Sequence, residues 1–241
     1  MTDLATDADT RNLAGHPASW QRFDLEVSAQ AADGSFELLA AAPVELYALQ
    51  SPENSIDAAA LLRERVIADP PYWALVWTGA RAIAAVADDL GLSAGTRVLD
   101  LGCGLGLSGL AAARCGAAVT FGDYVEGPLL FVRTTLERTP YAACEVRRVD
   151  FTSTEDAGGP FDVILAADIV YDPAHYDPLA DFLERNIADG GLIALTESLR
   201  ADARVFLAGM LDRGFRDVKS ALWVMEEGRR ERTWLHRLSR A

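Results

Sequence analysis

"TRVLDLGCGLGLSGLAAARC", Thr96 to Cys115, runs from an apolar strand through a glycine-rich turn into a helix of small residues. Within it Gly104, Gly106 and Gly109 match G-x-G-x-x-G, a spacing that turns a strand tightly into a helix and lets a ligand approach the backbone. Asp100 stands just ahead of the glycines. The loop therefore suits either an anionic pyrophosphate or a ligand with a cationic group.

Outward from this unit, strand and helix alternate. "AAVTF" is a second strand ending at Asp123, a helix runs from about Gly127 to Thr139 and stops at Pro140, and "EVRRVD" is a third strand. "FDVILAAD" is the fourth, "LADFLERNIA" a helix stopped by Gly190 and Gly191, and "LIALTE" the fifth. "FRDVKSALWVMEEGRRERTWLHRLS" is two strand-like runs around a charged turn, an antiparallel hairpin at one edge of the sheet. The expected fold is α/β: a Rossmann-like, doubly wound, mostly parallel seven-stranded sheet with a C-terminal antiparallel hairpin. Such sheets bind ligands beyond the carboxyl ends of their strands. Upstream, "WALVWTGARAIAAVADDLG" puts Trp77, Ile83, Val86 and Leu90 on one helical stripe that ends at Gly91. Before that, "RFDLEVSA" and "FELLAAAPVELYAL", separated by "ADGS", predict a small N-terminal β-hairpin. The chain thus divides into a flexible acidic tail (1–19), a hairpin extension (20–55) and a main domain (56–241).

At 241 residues, half of them hydrophobic, the chain can bury one substantial core. Cys103, Cys115 and Cys144 are odd in number and lack C-x-x-C spacing, which speaks against a disulfide framework and a zinc site and fits a reducing cytoplasm. The start "MTDLATDADTR" has no basic and apolar leader, and no apolar stretch reaches the roughly 18 residues of a membrane helix. A formal charge of -14 disfavours broad nucleic-acid contact and favours a basic partner. The basic run "GRRER", Gly228 to Arg232, reads as a solvated turn, with a phosphate or acidic-partner contact as the alternative.

Asp123 ends the strand after the glycine loop, where an acid accepts hydrogen bonds from a ribose diol. NAD and S-adenosylmethionine both carry that ribose. Asp100 favours the second, because it would repel a pyrophosphate and attract a methionine amino group by up to roughly 4 kcal/mol before desolvation. Its alternative role is to hold loop amides. A sulfonium favours nearby ring faces, which Trp73 and Trp77 could supply. Core packing is the expected role of Trp73.

"PYWALVWTGARAIA", "VLDLGCGLGLSGLAAA", "VTFGDY", "RRVDF" and "LAADIVYD" together resemble the class I, seven-β-strand, S-adenosylmethionine-dependent methyltransferases. They resemble in particular the branch of protein-lysine and nicotinamide N-methyltransferase-like enzymes. The resemblance implies that Trp77, Gly102, Gly104, Asp123 and Tyr124 line the cofactor site with Asp100, that Asp150 and Phe151 lie beside the adenine, and that Ala167 offers backbone near the methionine end. Its acid-x-x-Tyr motif falls on Asp168 and Tyr171. The helix after Asp123 lacks the asparagines of the family, and the N-terminal hairpin lies outside the matched region.

Methyl transfer is an in-line displacement that needs alignment, with neither metal nor covalent nucleophile. Asp168 is expected to orient an acceptor amine and Tyr171 to wall the transfer path, the alternative being a turn-capping Asp and a core Tyr. His16 and His236 read as structural or solvated, and His175, after Tyr171, as a residue within reach of the substrate. The expected activity is N-methylation of a lysine side chain of a protein. A small-molecule amine methyltransferase, an NAD(P)-dependent oxidoreductase and a non-catalytic cofactor-binding protein are the alternatives.

Overall fold

The computed structural model describes residues 9–31, 33–52, 71–155, 157–198, 203–226 and 228–240. Residues 1–8 of the expected tail, and the expected boundary at 55–56, lie outside them. Five strands open the chain: β1 (Thr10–Leu13), β2 (His16–Phe23), β3 (Val27–Gln30), β4 (Phe36–Leu38) and β5 (Val44–Leu49). A single turn of 3-10 helix at Tyr72–Ala74 and helix α1 (Thr78–Ala85) lead into β6 (Arg97–Leu101). There follow α2 (Leu107–Arg114), β7 (Ala118–Asp123), α3 (Glu126–Arg138), β8 (Cys144–Arg148) and β9 (Phe161–Ala167). The chain continues through α4 (Tyr176–Asn186), β10 (Ile187–Ser198), α5 (Arg204–Asp212), β11 (Phe215–Glu226) and β12 (Arg229–Arg240).

The main sheet has nine strands in the order β4-β3-β11-β12-β10-β9-β6-β7-β8. β10, β9, β6, β7 and β8 are parallel neighbours, and β12 runs antiparallel between β10 and β11. Alternate side chains explain why both faces are covered. Val98, Val163 and Leu165 enter a cluster with Ile83, Leu110 and Phe131 from the helices of one face. Leu99, Ile164 and Ala166 enter another with Phe182, Leu183 and Phe206 on the opposite face.

The seven expected strands are present, and β3 and β4 extend the sheet past them by pairing β3 to β11. The "ADGS" hairpin therefore joins β3 to β4, while the outer halves of the two expected runs go to a separate three-stranded sheet, β1-β2-β5. Residues 10–19 are strand rather than tail. Leu13 and His16 pair across a two-residue turn, Ala14-Gly15, with both φ angles positive (52° and 83°). That turn suits a hairpin, but Ala at its first position hides the signal. Tertiary contacts hold the small sheet on α3: the Tyr47 amide donates to Thr135 Oγ1 at 3.0 Å, and the Arg138 guanidinium lies 4.5 Å from the Trp20 ring centre.

Two further boundaries differ from expectation. Helix α4 gives way at Ile187, and Gly190 instead sits in a register shift within β10. Trp77 stands before α1 in extended conformation (φ -75, ψ 155), so it does not share a helical stripe with Ile83. Among the described residues no helix is long and apolar enough to cross a membrane.

Candidate active site

Between β6 and α2 the backbone turns through Gly102 and Gly104 at φ +64° and +50°, values a residue with a Cβ rarely adopts. Asp100, 2% exposed, closes the base of this loop, and its Oδ2 accepts the amide of Gly109 at 2.8 Å. One carboxylate oxygen thus holds an amide in the first turn of α2, next to the loop amides that the sequence offered as its alternative partners. Burial pushes the Asp100 carboxyl up to about 7, against the Gly109 hydrogen bond and with help from the nearby Asp123 charge. A carboxylate desolvated to this degree gains from a cationic neighbour. Asp123 is also buried; its Oδ2 accepts the Gly104 amide at 3.1 Å and its Oδ1 the Val125 amide at 3.0 Å. The end of β7 and the glycine loop are locked to each other.

The segment ahead of α1 forms the facing wall. Trp77 Nε1 donates to the Tyr72 carbonyl at 2.7 Å, which pins the extended stretch back on its own 3-10 turn. The Tyr72 ring then lies 5.9 Å from Trp77 and 5.3 Å from Tyr171, making an aromatic row beside the cleft. Trp73 packs on Phe131 at 5.7 Å, as expected, and also meets His16 at 5.9 Å.

Asp168 follows the last residue of β9 with φ +52°, a left-handed conformation that costs a non-glycine residue on the order of 1 kcal/mol. Its amide donates to the Thr196 carbonyl at 3.2 Å, and its Oδ2 accepts the Gly79 amide at 2.8 Å, in the first turn of α1. A carboxylate at a helix N-terminus meets both unpaired amides and the positive end of the helix dipole. Gly79 must be glycine for this approach: a Cβ there would stand 2.6 Å from Asp168 Oδ2 and 2.3 Å from Thr196 Oγ1.

Ten of the eleven residues expected from the sequence line this one cleft. Asp150 is the exception; its Oδ1 accepts the Thr152 amide at 2.9 Å and the Thr152 hydroxyl at 2.6 Å, closing a local turn. Phe151 beside it does line the cleft, with His175 edge-on at 5.7 Å. His236 is buried far along the chain in β12, its Nδ1 2.7 Å from Asp217 Oδ2. Sequence reading missed Tyr72, Val149 and Ile169 in the cleft wall, and Gly79 behind Asp168. Tyr72 adjoins the quoted "PYWALVW" and could have been found from it. Gly79 could not, since nothing in one sequence pairs it with a residue 89 positions on.

An α/β sheet with a glycine loop on its first core strand, an acid ending the next and a carboxylate across the cleft defines a class I S-adenosylmethionine-dependent methyltransferase. Residues 76–212 match the family model described as lysine methyltransferase, and the chain belongs to that family. It is 33% identical over 128 residues to the electron transfer flavoprotein beta subunit lysine methyltransferase of Xenopus laevis, covering 50% of this chain and 49% of that protein. It is 32% identical over 117 residues to the ubiquinone biosynthesis O-methyltransferase of Agrobacterium fabrum, covering 47% of this chain and 46% of that one. The chain spans about half the length of these curated relatives. Among solved structures, precorrin-6y C5,15-methyltransferase from Geobacter metallireducens superposes with a TM-score of 0.56 at 13% identity, over 66% of this chain and 87% of that one. A TehB-like methyltransferase from Corynebacterium glutamicum gives 0.53 at 15%, over 66% and 88%.

Proposed function

We propose that the protein transfers a methyl group from S-adenosylmethionine to the side-chain nitrogen of a lysine in another protein. The observation that carries this reading is Asp168, held at the cleft wall by the Gly79 amide and flanked by Tyr171, which is 49% exposed. A carboxylate with an aromatic neighbour at an open mouth suits a cationic side chain arriving from outside better than a small molecule that must be enclosed.

The residues at the glycine loop fit the cofactor. Asp123 would accept the ribose hydroxyls, Asp100 would face the methionine ammonium, Phe151 and Tyr124 would flank the adenine, and Trp77 with the Ala167 backbone would border the sulfonium. When bound, S-adenosylmethionine supplies a methyl group on a good leaving group. The chain's task is then to present a neutral amine in line. At pH 7 a free lysine amine must give up its proton at a cost of about 4.6 kcal/mol, from a pKa near 10.4. Asp168 takes a helix amide on Oδ2, which fixes its carboxylate at the cleft wall. Its role is to orient the amine by hydrogen bond, while Tyr72 and Tyr171 exclude water from the transfer path and the proton leaves to solvent. A cytoplasmic setting is supported by the three free cysteines.

The test is incubation with a cell extract and S-adenosylmethionine carrying a labelled methyl, followed by mass spectrometry. Label on protein lysines, absent with Asp168→Ala, is the expected result. Label confined to small metabolites would overturn the protein substrate, and full transfer by Asp168→Ala would overturn the role of Asp168.

A further inference from the structure

The terminal hairpin carries a feature that methyl transfer does not use. Leu222, Val224 and Leu235 face the core, together with Val27 of β3. By strand alternation, Lys219 and Trp223 of β11 and Arg230, Arg232 and Trp234 of β12 share the other face, with Phe36 and Leu38 of β4 beside them. On that face cations and rings interleave. Lys219 Nζ lies 4.0 Å and the Arg232 guanidinium 5.1 Å from the Trp234 ring centre, and the Arg230 guanidinium lies 4.4 Å from that of Phe36. Phe36 in turn meets Trp223 edge-on at 4.9 Å.

This face is open. Phe36 and Leu38 are 42% and 66% exposed, and Lys219, Arg230 and Arg232 are exposed as well. Lys219 has a carboxylate neighbour, Glu197, at 3.7 Å; among the described residues neither Arg230 nor Arg232 has one within ion-pair distance. In a chain of net charge -14, two guanidiniums lie against rings with no carboxylate partner among the described residues. Stacking on a ring leaves guanidinium N–H groups available for a carboxylate. Exposed apolar side chains beside them add contact area for something that is not purely ionic.

We propose that this face docks an acidic, partly apolar polypeptide segment of a protein partner. Charge complementarity selects the acidic partner over a basic one. The excess of negative charge elsewhere on the chain selects a short segment over a nucleic acid, whose long phosphate backbone would meet that charge. None of these residues lines the methyl-transfer cleft, so docking here is a second binding event.

The test is fluorescence anisotropy of the full chain with a labelled twelve-residue peptide rich in glutamate and leucine, and separately with labelled dT12, at about 50 mM and about 300 mM salt. The expected result is saturable peptide binding that weakens with salt and falls about tenfold or more in the double variant Arg230→Glu/Arg232→Glu. Arg185→Glu/Arg216→Glu changes net charge equally at exposed arginines elsewhere and is expected to stay within about twofold. No peptide binding, an equal loss in both double variants, or tighter binding of dT12 would each overturn the proposal. Methyl transfer is not read, so its failure and that of the lysine methyltransferase reading remain distinguishable.

Discussion

On the glycine-loop side of the cleft, Asp100 and Asp123 take their amide donors from residues 9, 19 and 2 positions away, whereas on the far wall Asp168 takes its donor from Gly79, 89 positions away. The first side is one β-α-β unit closed on itself. The second is assembled by the sheet and α1 from segments that meet only in the finished fold. Ligand binding at the loop should therefore survive damage to the far wall, and transfer should depend on both.

Asp123→Asn is the largest expected insult to the loop side. With its charge-assisted bonds to the ribose weakened, at about 1.5 to 3 kcal/mol each, S-adenosylhomocysteine affinity should drop roughly tenfold to a few hundredfold by calorimetry. Unchanged affinity would show that the ribose is held elsewhere. Gly79→Ala strikes the other side, since its Cβ would displace the Asp168 carboxylate. Transfer is expected to fall at least about tenfold, while S-adenosylhomocysteine affinity stays within about twofold. An equal loss of both would mean that the two sides are not separable.

Asp100 sharpens the comparison through pH. Its carboxyl is raised to about 7 in the free folded protein from an ordinary value of 3.8, so it lends stability at low pH that is lost as pH rises through 7. A ligand ammonium favours the ionised form. Binding must therefore expel a proton below about pH 7, and affinity should fall as pH falls, by up to about tenfold per pH unit. The thermal shift with S-adenosylhomocysteine should accordingly be larger at pH 8 than at pH 6, and Asp100→Asn should flatten that difference. A shift that grows toward low pH would contradict the role given to Asp100. Tyr72→Leu is the smallest effect expected, a few-fold loss of transfer with cofactor affinity kept, because it removes one ring of the three in the row Trp77, Tyr72 and Tyr171.

The same division explains what the sequence made legible. Gly102, Gly104, Asp100 and Asp123 are recognisable because strand, loop and helix are contiguous and each constraint acts over a few residues. Asp168 and Tyr171 could be named from a motif, but the conformation of Asp168, φ +52° with its carboxylate on an α1 amide, comes from tertiary packing. Trp77 is legible as a cleft residue but not as part of α1: it stands six residues before Ile83, off that residue's helical stripe, and its Nε1 bond to Tyr72 favours an extended turn. Asp150, which the resemblance places beside the adenine, has its Oδ1 engaged in a local turn with Thr152 and lies outside the cleft lining. The N-terminal strands lacked clear alternation, and their order rests on α3 and β11, far away in sequence.

The most direct measurement is a paired one on Asp168→Ala: the dissociation constant of S-adenosylhomocysteine by calorimetry, and the rate of methyl transfer to the lysine substrate identified in extract. Affinity within about twofold of the unaltered protein, with transfer reduced at least about a thousandfold, is the predicted result. Transfer near the original rate, or a loss of affinity as large as the loss of transfer, would contradict a cleft built as two separable sides.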